Sequence, residues 1–127
     1  MSDAVELSFP VEADLLVLAR LTAATVAARA GFSIEEVEDL RLVTEELCLS
    51  VIGTAKSGTV SLRLASDGGE ITIECWMVPG GVDGSGGGAS DELSARIIEA
   101  LVDAQGVLDD GPRAGRWIRT HGGAGVG

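Results

Sequence analysis

Ser33-Ile34-Glu35-Glu36-Val37-Glu38-Asp39-Leu40-Arg41-Leu42-Val43-Thr44-Glu45-Glu46-Leu47-Cys48-Leu49-Ser50-Val51-Ile52-Gly53-Thr54-Ala55 begins with a serine followed three residues later by a glutamate. That pair is a capping-box start, in which each side chain satisfies a backbone N–H of the first helical turn. Val37, Leu40, Thr44, Leu47 and Val51 then recur at helical spacing, so the pattern predicts one long helix over 33–55. At about 100° per residue, one broad arc gathers Val37, Leu40, Val43, Leu47, Cys48 and Val51 as the side to bury. Glu35, Asp39, Glu46 and Ser50 form a narrow polar stripe. A third, mixed arc stacks Glu38, Leu42, Glu45, Leu49 and Ile52, with Glu45 and Leu49 one turn apart and Gly53 one turn further.

Upstream, Val5 to Phe9 alternates apolar and polar residues and meets Pro10, which reads as a strand, as at a sheet edge. Residues 11–30 are rich in Leu and Ala, with Leu15, Leu18, Ala19, Thr22 and Val26 at helical spacing and Gly31 as the stop. The short turn Gly31-Phe32-Ser33 makes this first helix an antiparallel neighbour of the central one. Downstream, residues 59–64 and 70–77 alternate cleanly about an Asp67-Gly68-Gly69 turn and predict a hairpin. Val60, Leu62, Leu64, Ile71, Ile73 and Cys75 should face the helices, and Thr59, Ser61, Arg63, Thr72 and Glu74 the other side.

Residues 79–90 hold six glycines and read as the most mobile internal segment. Ser90 or Asp91 then caps a third helix over 92–104, with Leu93, Ile97, Ala100 and Leu101 expected on its buried face. A short strand over 106–108, a turn over 109–115 and a strand over 116–119 follow, and residues 122–127 read as a frayed Gly-rich tail. Residues 1–121 thus form one domain, in the order β-α-α-β-β-loop-α-β-β.

The composition narrows the function classes. With 127 residues and 46% hydrophobic content the chain can bury one core, built from aliphatic side chains because it has only two Trp, two Phe and no Tyr. Its net charge of -11 argues against nucleic acid and suits a soluble protein, or one with a basic partner. The first ten residues lack a secretory signal pattern and no apolar run approaches the ~20 residues of a membrane span, so a cytoplasmic protein without a membrane partner is expected. Cys48 and Cys75 both sit in apolar patterns and read as buried free thiols. A single His offers no basis for a zinc site.

The run from Asp39 to Val51 resembles the nucleotide-site helix of the histidine-kinase-like ATPase superfamily (GHKL), in particular the anti-sigma-factor serine/threonine kinases. The element order agrees with that resemblance, which implies an α+β fold: a two-layer sandwich of about three helices on a mixed, mainly antiparallel sheet. In the family a glutamate acts as general base, an asparagine one turn later holds Mg²⁺, and a histidine often follows. Glu45 matches the glutamate, whereas Leu49 and Gly53 stand at the other two positions, and leucine has no lone pair for a hard cation. The family's Asp-x-Gly-x-Gly motif after the hairpin, which reads adenine, falls on 77–81 here and keeps only Gly81. A slipped register offers Asp83, Gly84 and Gly86 as nucleotide candidates, though Asp83 reads more simply as a loop residue. At the second glycine motif, which receives phosphates at a helix N-terminus, Glu92 and Ser94 replace the glycines, and a carboxylate there repels a triphosphate.

The resemblance therefore implies a regulatory domain acting by protein binding, with impaired ATP binding and no cofactor. Its expected partner is a sigma factor or an anti-sigma-factor antagonist, with a homodimer built on the first strand and first helix. Two alternatives remain open. One is an active serine/threonine protein kinase with ATP and Mg²⁺, Glu45 as base and Asp83 on adenine; the other is a sensor domain with a repurposed pocket.

Overall fold

The computed structural model describes residues 3–78 and 89–122. Five strands and three α-helices follow in the order β1 (Asp3–Pro10), α1 (Leu16–Arg29), α2 (Ile34–Ile52), β2 (Thr59–Asp67), β3 (Glu70–Val78), α3 (Ala89–Leu101), β4 (Ala104–Asp110) and β5 (Arg113–His121). A single turn of 3-10 helix, Ala13–Leu15, leads into α1.

α2 starts as its sequence dictates. The Ser33 hydroxyl accepts the Glu36 N–H at 3.1 Å, and the Glu36 carboxylate accepts the Ser33 N–H at 2.7 Å. Gly53 ends the helix with φ 56°, a backbone conformation that costs a β-carbon-bearing residue energy, so the helix stops short of Thr54 and Ala55. Ser33→Ala should lower stability by about 1 kcal/mol in denaturant titrations, since two N–H groups of the first turn lose their satisfied geometry. A change below a few tenths would mean that the box is not holding the helix start.

The sheet runs β1-β2-β3-β5-β4, and all four pairings are antiparallel. The mixed character expected from the sequence survives only as a relation between non-neighbours. β3 and β4 point the same way, joined by the α3 crossover, but β5 is inserted between them and pairs antiparallel with each. All three helices cover one face. Val60, Leu62, Leu64, Ile71, Ile73 and Cys75 are fully buried beneath them, as the alternation predicts. Leu40, Val43, Leu47 and Cys48 of α2 close the same core. Cys48 and Cys75 meet there as free thiols, and a hydrogen bond with Cys48, reinforced by burial, pushes the Cys75 thiol well above its ordinary range.

Among the described residues the opposite sheet face carries no helix. Ser8 and Ser61 share a 2.8 Å hydrogen bond there, which explains why Ser61 is buried despite facing away from the core. Arg113 lies 4.8 Å from the ring centre of Trp76, and Arg119 5.1 Å from that of Trp117.

Four sequence expectations need correction. α3 begins at Ala89, so Ser90 and Asp91 lie inside the helix, not at its cap. Its buried face is Ser94 and Ile98, with Leu93 and Ala100 turned outward; two adjacent isoleucines at 97 and 98 left the facing ambiguous by one position. The last two strands are longer than expected, because their polar ends Asp109, Asp110 and Arg113 pair around a two-residue turn at Gly111 and Pro112. Finally, Gly122 is not frayed: it is buried, its N–H donates to the Gly69 carbonyl at 3.0 Å, and its α-carbon faces the Phe32 ring. Residues 79–88, the proposed mobile loop, and residues 123–127 of the tail lie outside the described residues.

Candidate functional site

The mixed arc of α2 is where chemistry was expected. Glu38, Leu42, Glu45 and Leu49 rise from the solvent side of the helix, over the groove between α1 and α2. Leu42 is 42% and Leu49 40% exposed, so neither is a core residue. Between them the Glu45 carboxylate stands 3.7 Å from the Arg20 guanidinium of α1. Arg20 also has its Nε buried without a hydrogen-bond partner among the described residues. Arg41 pairs with Glu38 at 2.9 Å on the same arc.

Sequence reasoning singled out Glu45 but not Arg20. A usable signal existed: the two stand about equally far from the Gly31-Phe32-Ser33 turn, and antiparallel helices bring such positions level. The pairing is at the rim of the groove, with both side chains about one third exposed, so its energetic weight is small and its effect is to orient the carboxylate.

Among the described residues, the donor set along this arc does not fit a hard divalent cation. Along this arc one carboxylate is followed one turn later by leucine and then by the Gly53 cap, where octahedral coordination asks for several oxygens. Among the described residues no group of three or more His, Cys, Asp or Glu could hold a metal. The remaining candidates, Gly81, Asp83, Gly84 and Gly86, lie outside the described residues.

The other side of α2 is closed. Two members of its polar stripe, Glu46 and Ser50, form a seam with neighbouring elements. The buried Ser94 hydroxyl of α3 donates to Glu46 at 2.7 Å, and the Arg116 guanidinium of β5 donates to Ser50 at 2.7 Å. Ser94, aligned with a phosphate-receiving glycine, therefore spends its hydroxyl on holding α3 against α2. Glu92 is exposed in the first turn of α3. Two further arginines are ion-pair members, Arg113 with Glu74 and Asp110, and Arg119 with Glu70.

A second concavity of about 210 Å³ opens near the start of α2, lined by Phe32, Leu40, Leu101, Asp103 and His121 among others. His121 is bracketed by carboxylates, 2.8 Å from Asp103 and 2.9 Å from Glu70. Side-chain and backbone hydrogen bonds from His121 hold the Asp103 carboxyl below its ordinary value. These contacts tie the α3–β4 connection to the end of β5. No helix among the described residues is long and apolar enough to cross a membrane.

The chain is similar to known proteins over much of its length. The chain is 35% identical over 74 residues to the serine-protein kinase RsbW of Listeria monocytogenes serotype 4a (strain HCC23), covering 58% of this chain and 43% of that protein. It is 33% identical over 66 residues to serine-protein kinase RsbW of Bacillus subtilis (strain 168), covering 49% and 41%. For serine-protein kinase RsbW of Bacillus cereus (strain B4264) the figures are 33% over 69 residues, 54% and 38%. The chain thus spans about two fifths of the length of the curated relatives it matches. The family model described as histidine kinase-like ATPase domain matches residues 9–116, nearly all of the described fold, and the chain belongs to that family.

Proposed function

We propose that this domain is an anti-sigma-factor-like regulator that works by binding a protein partner, a sigma factor or an anti-sigma-factor antagonist, and that its Mg²⁺-dependent ATP binding is impaired. The observation that carries the reading is Leu49. It follows Glu45 by one turn, on the exposed arc, where a metal-dependent nucleotide site needs an oxygen ligand. The course of α3 supports it, since the helix has begun at Ala89 and the N–H of Ser94, at the position of a phosphate-receiving glycine, lies within the helix instead of being bare. The competing reading is an active serine/threonine protein kinase in which Glu45 is the general base. It draws on the retained Glu45 and on the names of the relatives.

Titration with ATP and ADP, with and without Mg²⁺, separates the two. No Mg²⁺-dependent ATP binding is expected at millimolar nucleotide; tight, metal-dependent binding would sink the regulatory reading and support the kinase. Leu49→Asn restores one oxygen ligand, and it should not rescue ATP binding, because Glu92 stays at the start of α3. With Leu49 only partly buried, that substitution should cost less than about 1 kcal/mol of stability, smaller than a buried amide would. A single Leu49→Asn variant that binds Mg²⁺-ATP well would show an otherwise complete site.

A further inference from the structure

From the geometry of β4 we infer that the free edge of this strand is a docking site for an extended, basic and apolar segment of a partner protein, added to the sheet as a sixth strand. β4 ends the strand order, and among the described residues no backbone hydrogen bond reaches its outer side. A two-residue turn joins β4 to β5, so the closing pair Asp110–Arg113 exchanges hydrogen bonds, and bonded pairs alternate from there. Gly106 and Leu108 thus point their N–H and C=O groups to β5. Gln105, Val107 and Asp109 direct theirs outward, an unpaired ladder whose natural complement is an extended chain.

The side chains along this edge define the occupant. Val107 is on the helix side of the sheet yet 75% exposed, and Leu93 of α3 is 59% exposed. Counted from the α3–β4 connection, Val107 lies about 16 Å along the strand and Leu93 about 13 Å along the helix. The two therefore stand at similar heights above the connection, and Val107 offers an uncovered apolar surface beside the open ladder. Edge strands are usually guarded by lysine or proline, and β4 contains neither. Its surroundings are acidic: residues 92–110 carry Glu92, Glu99, Asp103, Asp109 and Asp110 against Arg96 alone. Asp103 and Asp110 are engaged by His121 and Arg113, which leaves Asp109 on the strand itself, with Glu92 and Glu99 exposed on α3, to give the region its negative charge. A second copy of the chain would bring the same acidic edge, whereas alternating apolar and basic side chains would cover Val107 and meet the carboxylates. This surface is separate from Glu45 and Leu49, so the inference stands or falls independently of nucleotide binding.

The test uses the whole chain and two labelled seven-residue peptides, matching β4 in length, one alternating Val with Lys and one alternating Val with Glu. Fluorescence anisotropy should show saturable binding of the Lys peptide, weakened by salt, and at least about tenfold weaker binding of the Glu peptide. Amide exchange at Gln105, Val107 and Asp109 should slow on binding, while that at Gly106 and Leu108 is slow already. Val107→Pro removes an outward N–H and should weaken the Lys peptide about tenfold or more, with the unfolding curve checking that the sheet is intact. Asp109→Lys, which leaves the backbone alone, should weaken it as well and cover the case in which the proline variant fails to fold. Equal binding of both peptides, unchanged exchange at the three outward amides, or self-association of the chain through β4 would each overturn the inference.

Discussion

Gly115→Ala is expected to be among the most damaging single substitutions in the domain, costing about 3 kcal/mol or more and lowering the thermal midpoint by roughly 10 °C. Gly115 pairs with Trp76 across the central β3–β5 ladder. A β-carbon there would collide with the Cys75 carbonyl oxygen and the Trp76 α-carbon, and these backbone atoms cannot rotate away. The strands would have to part at the ladder that lies beneath α2. Space is the cause, because Gly115 is not among the glycines with positive φ. Gly111→Ala makes the matching control: it has open space but φ 62°, so its cost is left-handed strain alone, about 1 kcal/mol. If Gly115→Ala melts within a degree or two of the unchanged chain, the β3–β5 pairing described here is wrong.

Ile98→Ala should cost about 2–5 kcal/mol, against a few tenths for Leu93→Ala. Ile98 is fully buried and is the main apolar anchor of α3 in the core, while Leu93 is mostly in water. Truncating Ile98 leaves a cavity beneath a helix otherwise held to α2 by the Ser94–Glu46 hydrogen bond. Chemical denaturation of the two variants reads this directly. A larger loss for Leu93→Ala than for Ile98→Ala would mean that α3 is rotated by about 100° toward the facing its sequence pattern alone suggested.

The α3 misreading shows where local signals end. In α2 the start signal is a reciprocal pair three residues apart, and the core arc is wide and unbroken, so helix, start and buried face were all readable. In the β2–β3 hairpin, strict alternation about Gly68 and Gly69 set the register of six core residues. α3 offers two overlapping cap candidates and the adjacent pair Ile97 and Ile98. Which of them turns inward depends on the hydroxyl of Ser94 finding Glu46 on another helix, a contact separated by 48 positions.

What the sequence alone determined is the set of elements with strong internal periodicity, their order, and the oddity at the expected nucleotide edge, where Glu45 is followed by Leu49 and Gly53. Those are properties of neighbours three or four residues apart on a helix, or two apart on a strand. Only the tertiary structure decided that the sheet is antiparallel at every pairing, since β5 is slotted between two parallel partners. It also decided that Arg20 faces Glu45, that Glu46 and Ser50 of the polar stripe meet α3 and β5, and that Val107 is left uncovered. Each of these depends on which surface of one element meets another, and a polar side chain reads the same in sequence whether its partner is water, a serine on a packed helix or an arginine on a distant strand.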